Sequence, residues 1–588
     1  RALTGGIESM PNQSTAFDVA IIGAGIVGCA AAFELSKTTA RVALLDRSND
    51  VGTGTTRANS GIIHAGYDPE PGTRMARFNV EGNALTRQLA GELRVPFVGN
   101  GSLVVALSEE DLPVLRGLYE RGQANGVPGL ELLSGEEARR REPALAGEVC
   151  GALWAPTAGI ISPWEMAIAL ADTAVVNGCE FHGGCAVTGI EREADGFRLH
   201  TTGGDFLARR VINAAGTHAD AVNAFVAAPY FRIQPSKGQY YLLDKSQGEL
   251  VGATVFQCPS AAGKGVLVSP TVHGNLIVGP DAIPAAGPDD VAVTAQGLSF
   301  VAGMARRSVP GFNLRESIRN FAGVRAISDR DDFIVEEAPG CPGFINLSGI
   351  KSPGLTSAPA LAKEAVALLR KSGLVLQERE GFRLHPRPRP FRYAGARDRA
   401  AMAAENPRMG RVTCRCETVT EGEIVEAIHA PVPARSIDGV KRRVGSGMGR
   451  CQGGFCGPQV VEILSRELGI PTVVLPDRNL LRIAVYEMRF LTDEEVSDAI
   501  VINEAVELAK AYGTDQSASF VNGVLGKIAR SEELPGEDLY QELLAEDRAR
   551  EEAQAAEAAA KVAVAQAEAG VLAEDADAAE ADIDSVEE

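Results

Sequence analysis

Residues 18–35 read DVAIIGAGIVGCAAAFEL, and this stretch decides the fold. An apolar run ends at Ile22, then come Gly23, Gly25 and Gly28, then helix-favouring residues. The order is strand, glycine turn, helix. Gly23 permits the tight turn, Gly25 lets the backbone approach a pyrophosphate, and Gly28 lets the helix pack closely on the strand. A helix N-terminus placed there offers free N–H groups to phosphate. A second apolar stretch, RVALLD, ends at Asp46, where a carboxylate can accept hydrogen bonds from ribose hydroxyls. Together these features predict a Rossmann-like dinucleotide-binding α/β domain.

At 588 residues the chain is too long for one core, so three or more folding units are expected. Strand, glycine turn and helix alternate from Phe17 to about Lys371, as in an α/β domain with insertions. We expect a polar lead-in over residues 1–15 and a dinucleotide domain from 17–95, 159–221 and 319–372. Residues 96–158 and 222–318 are expected to form a substrate domain on a mixed sheet. QPSKGQYYLLDK (234–245) and VLVSPTVHGNLIVGP (266–280) alternate at strand spacing and fit that sheet. Within 373–410, RLHPRPRPFRYAGARDR (383–399) reads as an extended connector. A compact cysteine unit is expected over 411–471.

The formal charge of −20 is unevenly placed, because residues 531–588 carry 19 acidic and 3 basic side chains. The acidity belongs to this tail, which is expected to be disordered. The remainder offers no large basic face for nucleic acid. Neither a run of eighteen apolar residues nor a charged-then-apolar leader is seen, so we expect no membrane span and a cytoplasmic protein. Ten cysteines are too sparse for a disulfide scaffold.

NAD and FAD share the glycine fingerprint, so the choice between them comes from elsewhere. TGTTRANSGIIHAGYDPEPGTRMARFNVEGN (53–83) is small, polar and glycine-rich, as a loop along an extended cofactor would be. RVINAAGTHA (210–219) reads as a strand returning to the sheet beside the adenine half. GIKSPGLTSAPALAKEAVALL (349–369) leads through Pro353 and Gly354 into a helix whose free N–H groups could meet a flavin ring edge. GAGIVG, RANSGIIHAG, VINAAG and SPGLTSAPA together resemble the FAD-dependent oxidoreductases of the D-amino-acid oxidase superfamily. Within it they are similar to the branch of glycerol-3-phosphate oxidases and dehydrogenases and L-2-hydroxyglutarate oxidases. The resemblance spans about residues 17–372. It implies FAD held by Gly23, Gly25, Gly28, Asp46, Arg57, Asn59, Ser60, Gly61, Ala215, Gly216, Gly349, Gly354, Leu355 and Thr356.

Oxidation of a secondary alcohol by flavin requires removal of the hydroxyl proton, and histidine is the natural base. His64 is the one of seven histidines inside the flavin loop, and the resemblance places it beside the flavin. The alternative is a histidine that only orders the loop. Arg325, in FAGVRAISDRDDFIVE, matches the superfamily's substrate-binding arginine, and its planar fork suits a carboxylate or a phosphate. Lys264 matches a lysine that approaches phosphate in the glycerol-3-phosphate group, or it is a loop lysine in water. Ser60 and Ser352 flank the flavin and are candidate donors to substrate, with turn capping as the alternative. Trp154 and Trp164 read as packing residues at the domain seam.

Four cysteines fall within 43 residues, Cys414 and Cys416 in CRC and Cys451 and Cys456 in CQGGFC. Their spacing leaves structural zinc and a [2Fe-2S] cluster both open. The unit resembles the BFD-type (bacterioferritin-associated ferredoxin-like) [2Fe-2S] domain in its CxC, following helix, GVKRR and GMGRCQGGFC. That implies a [2Fe-2S] cluster on the four cysteines. Such a domain follows the FAD module in anaerobic glycerol-3-phosphate dehydrogenase A-subunits.

Downstream, LLRIAVYEM, INEAVELAKAYGT and FVNGVLGKIAR resemble the C-terminal helices of the antitermination factor NusB, over about 478–530. The basic RNA-binding half of that family has no counterpart here, so no nucleic acid is expected. The whole reading is an FAD and [2Fe-2S] dehydrogenase for a small anionic substrate, sn-glycerol 3-phosphate or, as alternative, L-2-hydroxyglutarate. The family implies a second redox subunit or a quinone-linked acceptor, with the enzyme peripheral to the membrane through that partner. A non-catalytic electron-transfer or RNA-linked scaffold is the reading from another class.

Overall fold

Strand β1 (Phe17–Ile22) feeds two cores at once, because alternate side chains of a strand point to opposite faces. Val19 and Ile21 pack beneath α1 (Ile26–Ser36) and the helices Pro163–Val176 and Gly354–Lys371. Ala20 and Ile22 meet Ile190, Phe197 and Leu199 on the other side, where Phe17, at the strand's first position, joins them out of alternation. In this computed structural model, residues 16–259, 265–469, 480–481, 483–485, 487–488, 497–512 and 517–530 are described. Residues 1–15, Lys264 and the tail 531–588 lie outside them.

Parallel strands stand in the order Glu180–Gly183, β2 (Val42–Asp46), β1, Phe206–Asn213 and Phe344–Ser348. Antiparallel strands widen this to an eight-stranded sheet. A second sheet of nine strands is mixed, with one parallel pair between Thr254–Gln257 and Ser102–Ala106. Its longest pairing joins Ile233–Leu243 to Ser317–Ser328 in antiparallel register. This sheet therefore runs to Ser328 and does not stop at the boundary expected at Ile318. The reason is that SIRNFAGVRAIS is one continuous strand, paired with Ile233–Leu243 from Ser317 to Ser328.

Two further expectations are corrected. The segment 53–83 is not one loop, because its second part belongs to α2 (Arg74–Glu92), a helix of nineteen residues. Met75, Phe78, Asn79, Gly82, Asn83, Thr86 and Ala90 recur at helical spacing on its buried side. The Thr73 hydroxyl caps it by accepting from the Ala76 N–H. Its glycine and asparagines look loop-like, yet Gly82 serves close packing: a Cβ there would lie 2.2 Å from the Thr356 carbonyl oxygen. The connector 373–410 is not wholly extended either. ARDRAAMAAE is rich in alanine and forms the helix Ala396–Glu405. Arg387, ahead of that helix, reaches Glu165 at 3.1 Å and the Arg443 carbonyl at 2.7 Å.

The cysteine lobe has a small ladder, Val412–Cys414 with Val419–Thr420, and helices Glu421–Ile428, Ile437–Val444 and Gly457–Leu468. It sits on the dinucleotide domain. Val432 is fully buried in that domain's core, and Asp172 accepts the Val432 N–H at 2.8 Å. Asp50 accepts from Arg442 at 2.6 Å and from both terminal nitrogens of Arg443 at 2.9 and 2.8 Å. Burial opposes ionisation of Asp50, but Arg443 and Arg442 outweigh it and hold the carboxyl below its ordinary value.

The described residues beyond Leu468 belong to a separate unit. Helices Asp498–Tyr512 and Ser517–Ala529 share a core of Val501, Ala505, Ala509, Val521 and Leu525 with Ala484. Their apolar stripes thus cover one another. Among the described residues no helix is long and apolar enough to cross a membrane.

Candidate functional site

A cavity of about 1570 Å³ opens where the two sheets and the cysteine lobe meet. That exceeds the roughly 300–1,000 Å³ of an ordinary single-ligand pocket, so it has room for a long cofactor and a second small molecule. Gly23, Gly25, Ile26 and Val27 line one part, Asp46, Ala215 and Gly216 the next, and Ser60, Gly61, His64, Arg325, Ser352, Gly354 and Leu355 a further part. Arg57 and Asn59 line it as well. Gly28, Gly349 and Thr356 do not; they lie behind the wall.

The fit to FAD rests on backbone that must stay bare. Gly23 has φ +102°, and a Cβ there would sit 2.5 Å from the Ala214 carbonyl oxygen. At Gly28 the same atom would meet the Gly23 oxygen at 1.9 Å. α1 starts with no acidic residue in its first turn and with Gly25 as an N-cap that has no side chain; the Thr56 hydroxyl accepts the Ile26 N–H at 2.9 Å, and the helix keeps its positive end beside the cavity. Asp46 accepts the Ala24 N–H at 2.7 Å and the Ser48 N–H at 2.8 Å. Burial pushes its carboxyl up, while two oxygens still leave acceptor capacity for a ribose. Asn59 braces its own loop, donating to the Thr56 carbonyl at 2.9 Å and accepting the Gly61 N–H at 2.8 Å.

His64 is fixed from three sides. Its N–H donates to the Thr356 hydroxyl at 2.9 Å, and its carbonyl accepts from Asn79 at 2.8 Å and Asn83 at 3.0 Å. The Nε2 atom lies 3.1 Å from the Ser352 hydroxyl, and the ring stacks on Phe256 at 5.9 Å. Arg325 donates to the Asp281 carbonyl at 3.0 Å. Gly238 makes its room, since a Cβ there would lie 2.2 Å from the guanidinium Nη2. Tyr240, buried beside Arg325 and stacked on Phe321 at 4.8 Å, completes this wall. Lys264 lies outside the described residues.

All ten cysteines are free. Cys416 and Cys451, both exposed, bring their sulfurs to 3.5 Å, and buried Cys456 faces buried Cys414. Among the described residues no three His, Cys, Asp or Glu side chains are drawn together as a metal site; the thiols stand as two pairs. The chemistry of the pairs nevertheless suits a cluster, which takes two cysteines on each iron. Backbone N–H groups of Phe455, Gly453 and Gly454 point at Cys451, and with the Cys416 thiol they hold its pKa below the ordinary value. Burial and then the Cys414 charge push Cys456 up to about 11; binding of metal to such thiols releases their protons.

Sequence reasoning missed Asn79, Asn83, Gly238, Tyr240 and Phe256. The two asparagines carried a signal, an i, i+4 pair in a buried helical stripe. It also undervalued Trp164, which lines the cavity and stacks on His273 at 6.2 Å. Trp154 does pack, with Arg141 4.6 Å over its ring. The cavity is also lined by Arg392 from the connector and by Glu417, Asp438, Lys441, Arg442, Met448 and Gln452 from the cysteine lobe.

Residues 18–368 match the FAD dependent oxidoreductase family, 412–466 the BFD-like [2Fe-2S] binding domain, and 464–530 the NusB family. A glycerol 3-phosphate dehydrogenase of Caloramator mitchellensis is 49% identical over 455 residues, 77% of this chain and 95% of that protein. The mitochondrial L-2-hydroxyglutarate dehydrogenase of Homo sapiens is 28% identical over 420 residues, 62% of this chain and 90% of that protein. The dithionite-reduced, FAD-bound L-α-glycerophosphate oxidase of Mycoplasma pneumoniae superposes with a TM-score of 0.61 at 32% identity, covering 64% of this chain and all of that one. This chain belongs to the FAD dependent oxidoreductases, and joins to that enzyme module a BFD-like [2Fe-2S] binding domain.

Proposed function

We propose that the protein oxidises sn-glycerol 3-phosphate to dihydroxyacetone phosphate and passes the electrons to a protein or quinone-linked acceptor. The observation that carries this reading is that one cavity reaches both the His64 and Arg325 wall and the cysteine lobe. Bound FAD supplies a two-electron acceptor, and a [2Fe-2S] cluster on Cys414, Cys416, Cys451 and Cys456 supplies one-electron exit. Gly23, Gly25 and the first turn of α1 hold the diphosphate, while Ser60, Gly61, Gly354 and Leu355 border the ring. His64 takes the hydroxyl proton at Nε2. Ser352, 3.1 Å away, donates to that nitrogen before substrate enters and keeps the ring turned toward the cavity. Arg325 holds the anion with its fork, its second face braced by the Asp281 carbonyl.

Glycerol 3-phosphate is favoured over L-2-hydroxyglutarate by the higher identity and longer coverage of the bacterial dehydrogenase. Anaerobic titration of the purified protein separates the two: bleaching of flavin absorbance by glycerol 3-phosphate supports the proposal. Bleaching by L-2-hydroxyglutarate alone would replace the substrate.

A further inference from the structure

We propose that Arg57, Arg319, Lys441 and Arg442 form a second phosphoryl-anion site, distinct from Arg325, on the part of the cavity wall to which the cysteine lobe contributes. All four residues line that cavity, two from the dinucleotide and sheet side and two from the lobe helix Ile437–Val444. Their positive charge is under-compensated. Asp438 lies 3.4 Å from Arg57 and 3.9 Å from Arg442, and the same carboxylate acts on Lys441. Asp50 serves Arg442 but is shared with Arg443. Neither the Arg319 nor the Lys441 side chain has an ion-pair partner among the described residues.

Burial, and next the charge of Arg319, hold the Lys441 ammonium below its usual value. Burial also lowers Arg57, with Arg442 and Arg319 adding to it against the pull of Asp438. An arriving dianion would relieve both. Guanidinium forks with one ammonium are the donor set that phosphoryl oxygens take.

The phosphoryl group is that of a phosphate ester entering the cavity, which rests on the reading above; the FAD diphosphate has its own place at Gly23, Gly25 and the first turn of α1. The cysteine lobe thereby gains a role in binding besides carrying electrons.

The test uses the full chain loaded with FAD and iron, with inorganic phosphate as probe in calorimetric titrations at low ionic strength. Arg325→Gln is expected to retain phosphate binding at the second site, whereas the double variant Arg319→Gln/Lys441→Gln loses it by about tenfold or more. In the double variant, a raised KM for glycerol 3-phosphate with full FAD content assigns the site to the ester. Faster FAD release on dilution with KM unchanged, read by flavin fluorescence, means that these cations serve the cofactor and overturns the proposal. It is overturned likewise if the double variant alters neither phosphate affinity nor KM. Because phosphate binding is read without turnover, it stands or falls separately from the identity of the substrate.

Discussion

The two ends of the cavity are built by opposite means. At the flavin end, bare glycine backbone and short loops do the shaping, and much of each motif is local in sequence: Gly23 to Gly28, Ser60 to His64, Ser352 to Thr356. At the cluster end, charged side chains far apart in the chain do it: Asp50 with Arg442 and Arg443, Glu165 with Arg387, Glu417 with Lys245 and Arg392. The difference teaches where each end is vulnerable. Close packing fails when a methyl is added. A buried ion pair fails when one partner is removed, because the other is left as an uncompensated charge.

The largest effect is therefore expected at the seam. Asp50→Asn leaves two buried guanidinium groups facing a neutral amide, and should cost about 3–5 kcal/mol of stability. Chemical denaturation should show the loss, and flavin bleaching by substrate should outlast cluster reduction. Acid should do the same more gently. The folded carboxyl is held low, so its contribution is complete above the ordinary carboxylate value of about 3.9 and disappears as pH falls through the depressed one. A lobe whose docking is insensitive to Asp50→Asn would break the comparison.

At the flavin end, His64→Asn should lower kcat by about 10²- to 10⁴-fold, the range of a lost general base, with FAD content unchanged. Asn83→Ala comes next. It removes one of the two side-chain donors to the His64 carbonyl, along with a bond to the Thr157 carbonyl at 2.9 Å, and should cost about 1–3 kcal/mol in thermal or chemical unfolding. Ser352→Ala is the smallest, a loss of about 0.5–1.5 kcal/mol in kcat/KM from the missing hydrogen bond to His64. It should act by shifting the pH profile of kcat/KM and not by releasing FAD.

How much of this was legible follows the same division. The glycine turn and the strand pair ending at Asp46 could be read directly, because each is a local demand of backbone geometry; the place expected for His64 came from the resemblance, and the structure sets that residue in the cavity wall. The helix α2 was hidden by its own packing: Gly82, Asn79 and Asn83 look like loop residues, but they are what lets two helices touch and what holds the His64 carbonyl. The seam was hidden by distance. GVKRR reads as a cluster-domain motif, and nothing near Asp50 announces that it will meet Arg442 and Arg443 across 392 and 393 residues. Gly238 became intelligible only when Arg325 was seen to fill the space a side chain would take.

The central claim is that electrons taken at the His64 wall leave through the cysteine lobe of the same chain. The direct measurement is anaerobic stopped-flow mixing of the FAD- and iron-loaded protein with glycerol 3-phosphate, following flavin absorbance and the electron paramagnetic resonance of rapidly frozen samples. The account predicts flavin bleaching followed by a reduced-cluster signal at a rate independent of protein concentration. Bleaching with a cluster that stays oxidised, or cluster reduction whose rate rises in proportion to protein concentration, would contradict it.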